Sequence, residues 1–217
     1  MLEQLLDARH SCRAFTDRAV DDATIQRLVH LAQRSPSWCN TQPWQIHVTR
    51  PATTRRLARA FVDHAFAYDP MPDIPFPTEY PGIYGERRRA CGWQLYESVG
   101  VVRGDRAASS VEALRNYALF GAPHTAIVTT ERALGTYGAI DCGVFLGHFL
   151  VAATSLGLAT VPQAALAAVA PVIRTELGLP DNRTVVFGVS FGYEADGDPV
   201  NAFRTQRAAI NDVLTFV

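Results

Sequence analysis

The sequence predicts an α+β fold built around one core, and three observations carry that expectation. Helical and strand-like stretches follow one another over 217 residues with no internal repeat, linker or low-complexity segment. Hydrophobic residues make up 48% of the chain, enough to bury a sizeable core in a single domain spanning 1–217. Thr184 to Tyr193 carries Val185, Val186, Phe187, Val189 and Phe191, the composition of a central strand.

In chain order, Leu2 to Ala8 reads as a short helix with Leu2, Leu5 and Leu6 on one side. Asp21 or Asp22 is positioned to cap a helix running to about Gln33, with Ile25, Leu28, Val29 and Ala32 inward. Pro36 closes that helix, and Gln45 to Thr49 alternates as a half-buried strand does. A helix from about Thr53 to Ala67 follows. Tyr68 to Pro81 then holds Pro70, Pro72, Pro75, Pro77 and Pro81, too many for a helix or a central strand. Helical patterning returns from about Ile83 to Gly100, with Arg87, Arg88 and Arg89 on its first turns, and again from Arg106 to Leu119. His124 to Thr130 is a strand opened by a histidine that reads as a satisfied core or strand-end residue. Asp141 to Leu158 is apolar on nearly every side, so it needs cover all round, in a core or at a subunit interface. Asp141 reads as its N-cap. Val172 to Leu177 is a short helix, and the tail from Val200 to Val217 carries Phe203, Ile210, Val213, Leu214 and Phe216, apolar enough to need burial.

Composition excludes several classes. A formal net charge of −1, with arginines spread along the chain, argues against nucleic-acid binding. Met1 to Asp7 carries acids where a secretory leader is basic. The apolar run from Gly143 to Ala153 contains His148 and is too short to span a bilayer. Cys12, Cys39, Cys91 and Cys142 are scattered, with no metal-ligand spacing, as expected for reduced thiols in a metal-free cytoplasmic protein. Motifs of serine hydrolases, P-loop nucleotide hydrolases, zinc proteases and dinucleotide-binding folds are absent.

Three polar segments fall outside any helical or strand period. Arg9 and Arg13 bracket Ser11, so in an extended chain all three project to one side as an anion clamp. Arg204 and Arg207 flank Thr205 in the same manner, and a solvated basic face is the plain alternative for both. Ser35 to Trp44 combines stiffening prolines with Ser37, Asn40, Gln42 and two tryptophans, which suits a planar, polar-edged ligand or a connector that caps the core. Cys12 lies among cations that could lower its pKa, but it has no base partner.

Arg9-His10-Ser11-Cys12-Arg13-Ala14-Phe15 resembles a signature of the nitroreductase family of FMN flavoproteins, and Ser35 to Trp44 resembles that family's ligand loop. Phe120 to Pro123, Gly157 to Ala164 and Asn201 to Arg207 follow in matching order. Cys91 to Tyr96 and Arg103 to Arg106 are similar to the branch that includes nitrobenzoate reductases.

The resemblance implies a nitroreductase-like fold, a mostly antiparallel central sheet wrapped by helices. It also implies an intertwined homodimer with the C-terminal tail exchanged between subunits. FMN would be the cofactor and NAD(P)H the reductant, in ping-pong reduction of a small nitroaromatic or quinone. The flavin then carries the chemistry, and no catalytic side chain is expected. By the same resemblance Arg9, His10 and Ser11, with Arg204 or Arg207, hold the phosphate and ribityl chain. Arg13 and Asn116 serve the pyrimidine edge, and Pro162, Gln163 and Ala164 serve the N5–O4 edge. Pro36, Ser37, Trp38, Asn40 and Gln42 come from the partner subunit. Residues 68–103 form a substrate-pocket lid in which Tyr80 or Tyr84 stacks on substrate and Arg87 pairs with a carboxylate. The alternatives are a non-catalytic FMN-binding or storage protein, and another flavin reaction, dehalogenation or ring oxidation, on the same scaffold.

Overall fold

A computed structural model describes residues 1–217. Its elements are α1 (Leu2–Ala8), α2 (Asp22–Ala32), β1 (Gln45–Val48), α3 (Pro51–Ala67), α4 (Ile83–Ser98), α5 (Arg106–Leu114), β2 (His124–Glu131), α6 (Gly135–Ser155), β3 (Ala159–Gln163), α7 (Ala170–Leu177) and β4 (Arg183–Gly192). The strands form one sheet in the order β1-β2-β4-β3, and every neighbouring pair is antiparallel. This is the expected α+β class with an antiparallel sheet.

The central strands β2 and β4 are covered on both faces, and their side chains sort by parity. Ala126, Val128, Phe187, Val189 and Phe191 meet α2 and α6, whereas Ile127 meets Leu57 and Phe61 of α3 and Ile173 of α7. Val128 pairs with Phe187 but Thr129 pairs with Val185, so a bulge leaves Val186 unpaired. The extra residue shifts the alternation, which is why Val185 joins the α3–α7 layer.

Several boundaries move for local reasons. Asp21, rather than Asp22, caps α2, its Oδ1 accepting from Thr24 N at 2.8 Å. Strand β3 escapes detection because Pro162 sits in its middle; it is the sheet's outer strand, where a missing N–H is tolerated. Helix α5 stops at Leu114, five residues before the expected end, because Leu119 and Phe120 take left-handed backbone (φ 56° and 51°) in the turn to β2.

Helix α6 starts at Gly135, so Asp141 lies in its second turn and is not an N-cap. With the turn before it, Arg132–Ser155 is 24 residues long and, by length and composition, apolar enough to cross a membrane, longer than the apolar run alone suggested. Here one face, with Phe145, Phe149 and Ala153, packs on the sheet. The opposite face leaves Tyr137, Ile140, Gly143, Gly147 and His148 exposed, next to exposed Leu2 and Leu6 of α1. The tail behaves alike: Ile210, Val213, Leu214 and Phe216 are exposed on the single chain, so the burial their composition calls for is not met within it.

His124 is the satisfied core histidine expected. Its Nε2 accepts from Val20 N at 2.9 Å, so Nδ1 carries the proton toward Thr49 O at 2.8 Å. Replacing it by leucine strands a buried N–H and a buried C=O. His124→Leu is expected to cost about 2–4 kcal/mol, read as a lowered midpoint in urea unfolding, and a loss under about 1 kcal/mol would contradict this role.

Candidate functional site

After α1 the chain runs extended along the outer strand β3. Ser11 forms a parallel bridge to Thr160, whose carbonyl accepts from Cys12 N at 2.9 Å, and Phe15 bridges to Glu194. The period of two is explicit: Cys12 and Ala14 are buried, while Ser11 and Arg13 are partly exposed. Burial pushes the Cys12 thiol up to about 12, against the activating effect expected of its cationic neighbours. Its Sγ donates to Ala14 O at 3.1 Å, so Cys12 is structural.

Asn201, from the turn Pro199–Asn201, clamps this segment. Its Oδ1 accepts from Arg13 N at 2.7 Å and Ala14 N at 3.2 Å, and its Nδ2 donates to Ala14 O at 2.9 Å. The same clamp carries the tail past the segment, bringing Arg204 and Arg207 to Arg9. Arg9 is held below the usual guanidinium range first by burial, then by Arg207 and Arg204. No carboxylate pairs with Arg9, Arg13, Arg204 or Arg207. Arg204 instead donates to Asn201 O (2.6 Å), and Arg207 to Thr205 Oγ1 (2.8 Å) and Thr205 O (3.0 Å). Three guanidiniums that act on one another and pair with no carboxylate have the charge and donors to hold a multiply charged anion. His10 is engaged internally, with Nε2 at 3.0 Å from Glu194 Oε1 and Nδ1 at 3.0 Å from Ala8 O.

Arg13 leads inward from that cluster. Its guanidinium lies 5.3 Å from the Phe203 ring and 6.0 Å from the Phe120 ring, and Arg115 Nη2 donates to its carbonyl at 2.8 Å. Pro162, Gln163 and Ala164 end the strand that pairs with this segment. The Gln163 side chain is committed, donating to Asn116 O at 2.7 Å and accepting from Ser190 Oγ at 2.5 Å. Only backbone groups at 162–164 remain to meet a ligand, while the Asn116 amide makes a single long bond of 3.4 Å to Ala113 O. Helix α4 packs on the Asn201 turn.

The loop before β1 is built for rigidity. Cys39, Asn40 and Gln42 all take left-handed backbone (φ 52°, 56° and 47°). Ser37 Oγ accepts from Gln42 N at 2.9 Å, and Gln42 Nε2 donates to Asn40 O at 3.2 Å. Both Asp141 oxygens accept from Trp38 N at 3.2 Å, and the exposed Trp38 ring meets Tyr137 edge-on at 4.2 Å. The two tryptophans divide the two readings of the loop between them. Trp44 caps the core, stacked on Phe145 at 5.2 Å, and Trp38, Asn40 and Gln42 face outward.

One chain does not unite these parts. The loop is fastened at Asp141, whereas Arg9 and His10 line a cavity of about 170 Å³ with Thr154 and Gly157. Thirteen residues of α6 separate Asp141 from Thr154, about 20 Å at the helical rise.

The lid region is divided too. Met71 N donates to Ala168 O at 2.9 Å, and Asp73 Oδ2 accepts from Arg174 Nη2 and Val185 N, each at 2.7 Å. These bonds pin the start of the proline-rich stretch to α7 and β4. Beyond them Tyr80 and Tyr84 are exposed, Arg88 lies 5.1 Å over the Tyr80 ring, and Arg87 is exposed with no acidic partner. Tyr84, Arg87 and Cys91 share one helical face, on the helix that packs against the Asn201 turn. Asn201, Arg115 and Asp141 were not foreseen as site residues. An acid inside an otherwise apolar helix is the one signal that could have exposed Asp141.

Fold and site together define a class of α+β protein with an anion cradle at a sheet edge and a rigid aromatic loop elsewhere. The family model described as the nitroreductase family matches residues 6–193, and the chain belongs to that family. It is 34% identical to the nitroreductase NfnB of Mycolicibacterium smegmatis, over 99% of this chain and 92% of that protein. It is 33% identical to a 4-nitrobenzoate reductase of Nocardioides sp., over 99% of this chain and 89% of that protein. Among solved structures, a mutant of the FMN and NADPH-dependent nitroreductase NfnB from Sphigopyxis sp. strain HMH superposes with a TM-score of 0.95. That match has 31% identity and covers 100% of this chain and 98% of the other.

Burial raises the Cys12 thiol, and raises Cys142 to about 11, above an unfolded value of about 8.5. Stability from these protonated thiols is therefore complete below the unfolded pKa and is lost as pH climbs through the folded values. Alkaline unfolding is expected above about pH 9, softened by Cys12→Ala. At pH 8 a thiol reagent should leave both residues unmodified until denaturant is added; rapid labelling of either in the native protein would contradict their burial.

Proposed function

We propose that this chain is an FMN-dependent oxidoreductase that draws reducing equivalents from NAD(P)H and delivers them, by a ping-pong cycle, to a nitroaromatic or quinone-like substrate. It works as a homodimer with each cofactor held between the Arg9–Arg13 segment of one subunit and the Ser37–Gln42 loop of the other. The observation that carries this reading is the trio Arg9, Arg204 and Arg207, which act on one another and pair with no acid, the neighbouring Glu194 being bound to His10. A phosphate monoester supplies the missing negative charge, so the donor set fits FMN.

When bound, FMN supplies the hydride chemistry through N5. Arg9, Arg204 and Arg207 bind the phosphate, and Ser11 lies beside them for the ribityl chain. Arg13 sets a fixed positive charge at the pyrimidine edge, where it stabilises negative charge that develops on reduction. Asn116 offers an amide to the same edge, and backbone groups at Pro162, Gln163 and Ala164 fix the opposite one. Pro36, Ser37, Trp38, Asn40 and Gln42 reach the ring and ribityl from across the dimer, since about 20 Å of helix separates them from Arg9 in their own chain. None of these roles needs a protein nucleophile or general acid. The exposed part of residues 68–103 covers the substrate, with Tyr84 or Tyr80 for an aromatic ring and Arg87 for a carboxylate. The 4-nitrobenzoate reductase among the relatives supports that choice.

Anaerobic addition of NADH or NADPH to the yellow protein is expected to bleach the flavin, and a nitroaromatic to restore it. A flavin that neither nicotinamide reduces would instead indicate a binding or storage protein. Gly147 lies on the bare face of α6 with nothing within 4 Å of an added Cβ. Gly147→Glu should therefore leave the subunit folded yet yield monomers by sedimentation that have lost FMN; flavin-replete monomers would refute the shared site. Arg87→Ala should lower turnover of a nitroaromatic acid roughly tenfold, about 1.4 kcal/mol of charge-assisted pairing, and spare its neutral ester. Equal losses on both substrates would remove Arg87 from recognition.

A further inference from the structure

Behind Arg13 stands a second polar assembly that cofactor contacts do not require. Glu112 on α5 is a buried carboxylate whose two oxygens accept from Arg115 Nη1 at 3.1 and 3.3 Å. Arg115 spends its other terminal nitrogen on the carbonyl of Arg13, at 2.8 Å. The Phe120 ring is near both guanidiniums, 6.0 Å from that of Arg13 and 5.8 Å from that of Arg115. Placing that ring requires two consecutive non-glycine residues, Leu119 and Phe120, in left-handed backbone, a cost met by buried packing. Asn201 fixes Arg13 from the other side.

From this geometry we infer that Glu112 and Arg115 are positioning residues that set the electrostatic potential Arg13 presents to the cofactor, and so the reduction potential of bound FMN. The inference rests on the placement of Arg13 at the flavin proposed above. Burying Glu112 costs desolvation that its pairing with partly exposed Arg115 must offset, and an apolar pair of similar volume would fill the same space. Here the carboxylate offsets one guanidinium, so Arg13 acts as a single net positive charge and not as one of two. Burial lowers the Arg13 guanidinium; Glu112 opposes that in part and Arg115 adds to it. Each member of the pair therefore acts on the cofactor with its own sign. Removing the anion makes the pocket more positive and favours reduced, more negative flavin; removing the cation does the reverse.

The test is the two-electron midpoint potential of FMN-loaded protein, measured anaerobically by equilibration with a reference dye, together with FMN affinity by fluorescence. Glu112→Gln keeps the shape and removes the charge. It is expected to shift the equilibrium roughly tenfold toward reduced flavin, about 30 mV for a two-electron couple. Arg115→Gln is expected to shift it toward oxidised flavin, and Glu112→Asp to restore the wild-type value. A structural role alone would lower FMN affinity or thermal stability in both variants without opposite shifts. Should Glu112→Gln fail to fold, the direction of the Arg115→Gln shift still carries the sign test, with Glu112→Asp as the charge-preserving control. Potentials within threefold of wild type, or shifts of the same sign, would overturn the inference while leaving the flavin reading intact. Wild-type protein unable to bind FMN would overturn both.

Discussion

The rest of the structure depends on one constraint: α6 is a 21-residue helix without a polar face. Its inner side is covered by the sheet through Phe145 and Phe149, and its outer side carries Ile140 and two bare glycines. Apolar surface of that length needs a second cover, and close approach of another backbone is what small residues on such a face permit. The same helix determines where chemistry can sit. It carries the Trp38 loop at Asp141 near one end and borders the Arg9 cradle at Thr154 near the other, so the two halves of the proposed site lie a helix length apart.

Charge is handled by a similar economy of placement. None of the three guanidiniums of the cluster pairs with an acid, and the acids that border this side of the chain are committed elsewhere, Glu194 to His10 and Glu112 to Arg115. Pairing those acids elsewhere leaves Arg9, Arg204 and Arg207 without a carboxylate partner, which is what the proposed anion site requires. Asn201 makes this possible without charge, since an amide can accept from two backbone N–H groups and donate to a carbonyl at once. The proline-rich stretch is likewise divided, pinned at Met71 and Asp73 and exposed from Tyr80 to Arg87, which confines any covering role to the second half.

Much of this was legible in the chain itself. Apolar periodicity marked α1, α2 and the two central strands within a residue or two, because burial on a stated face is a local property of spacing. The motif residues Arg9, Ser11, Arg13, Arg204 and Arg207 stood out as cations with no periodic partner or as the hydroxyl between them, and Ser35 to Trp44 stood out as a polar, proline-stiffened loop that suited either a ligand wall or a core-capping connector. Their chemistry belongs to residue type and spacing, which one dimension records.

Tertiary structure decided what depends on neighbours distant in sequence. Spacing could not show that Asp141 accepts from Trp38 inside a helix, nor that Pro162 sits harmlessly in an outer strand. Nor could it show that burial raises the Cys12 thiol when adjacent arginines suggested the reverse. Separated by 188 positions, Asn201 and Arg13 meet only once the sheet is built. The division is physical: hydrophobic period and backbone preference act over a few residues, while desolvation, hydrogen-bond satisfaction and charge compensation depend on whatever the fold brings within a few ångströms.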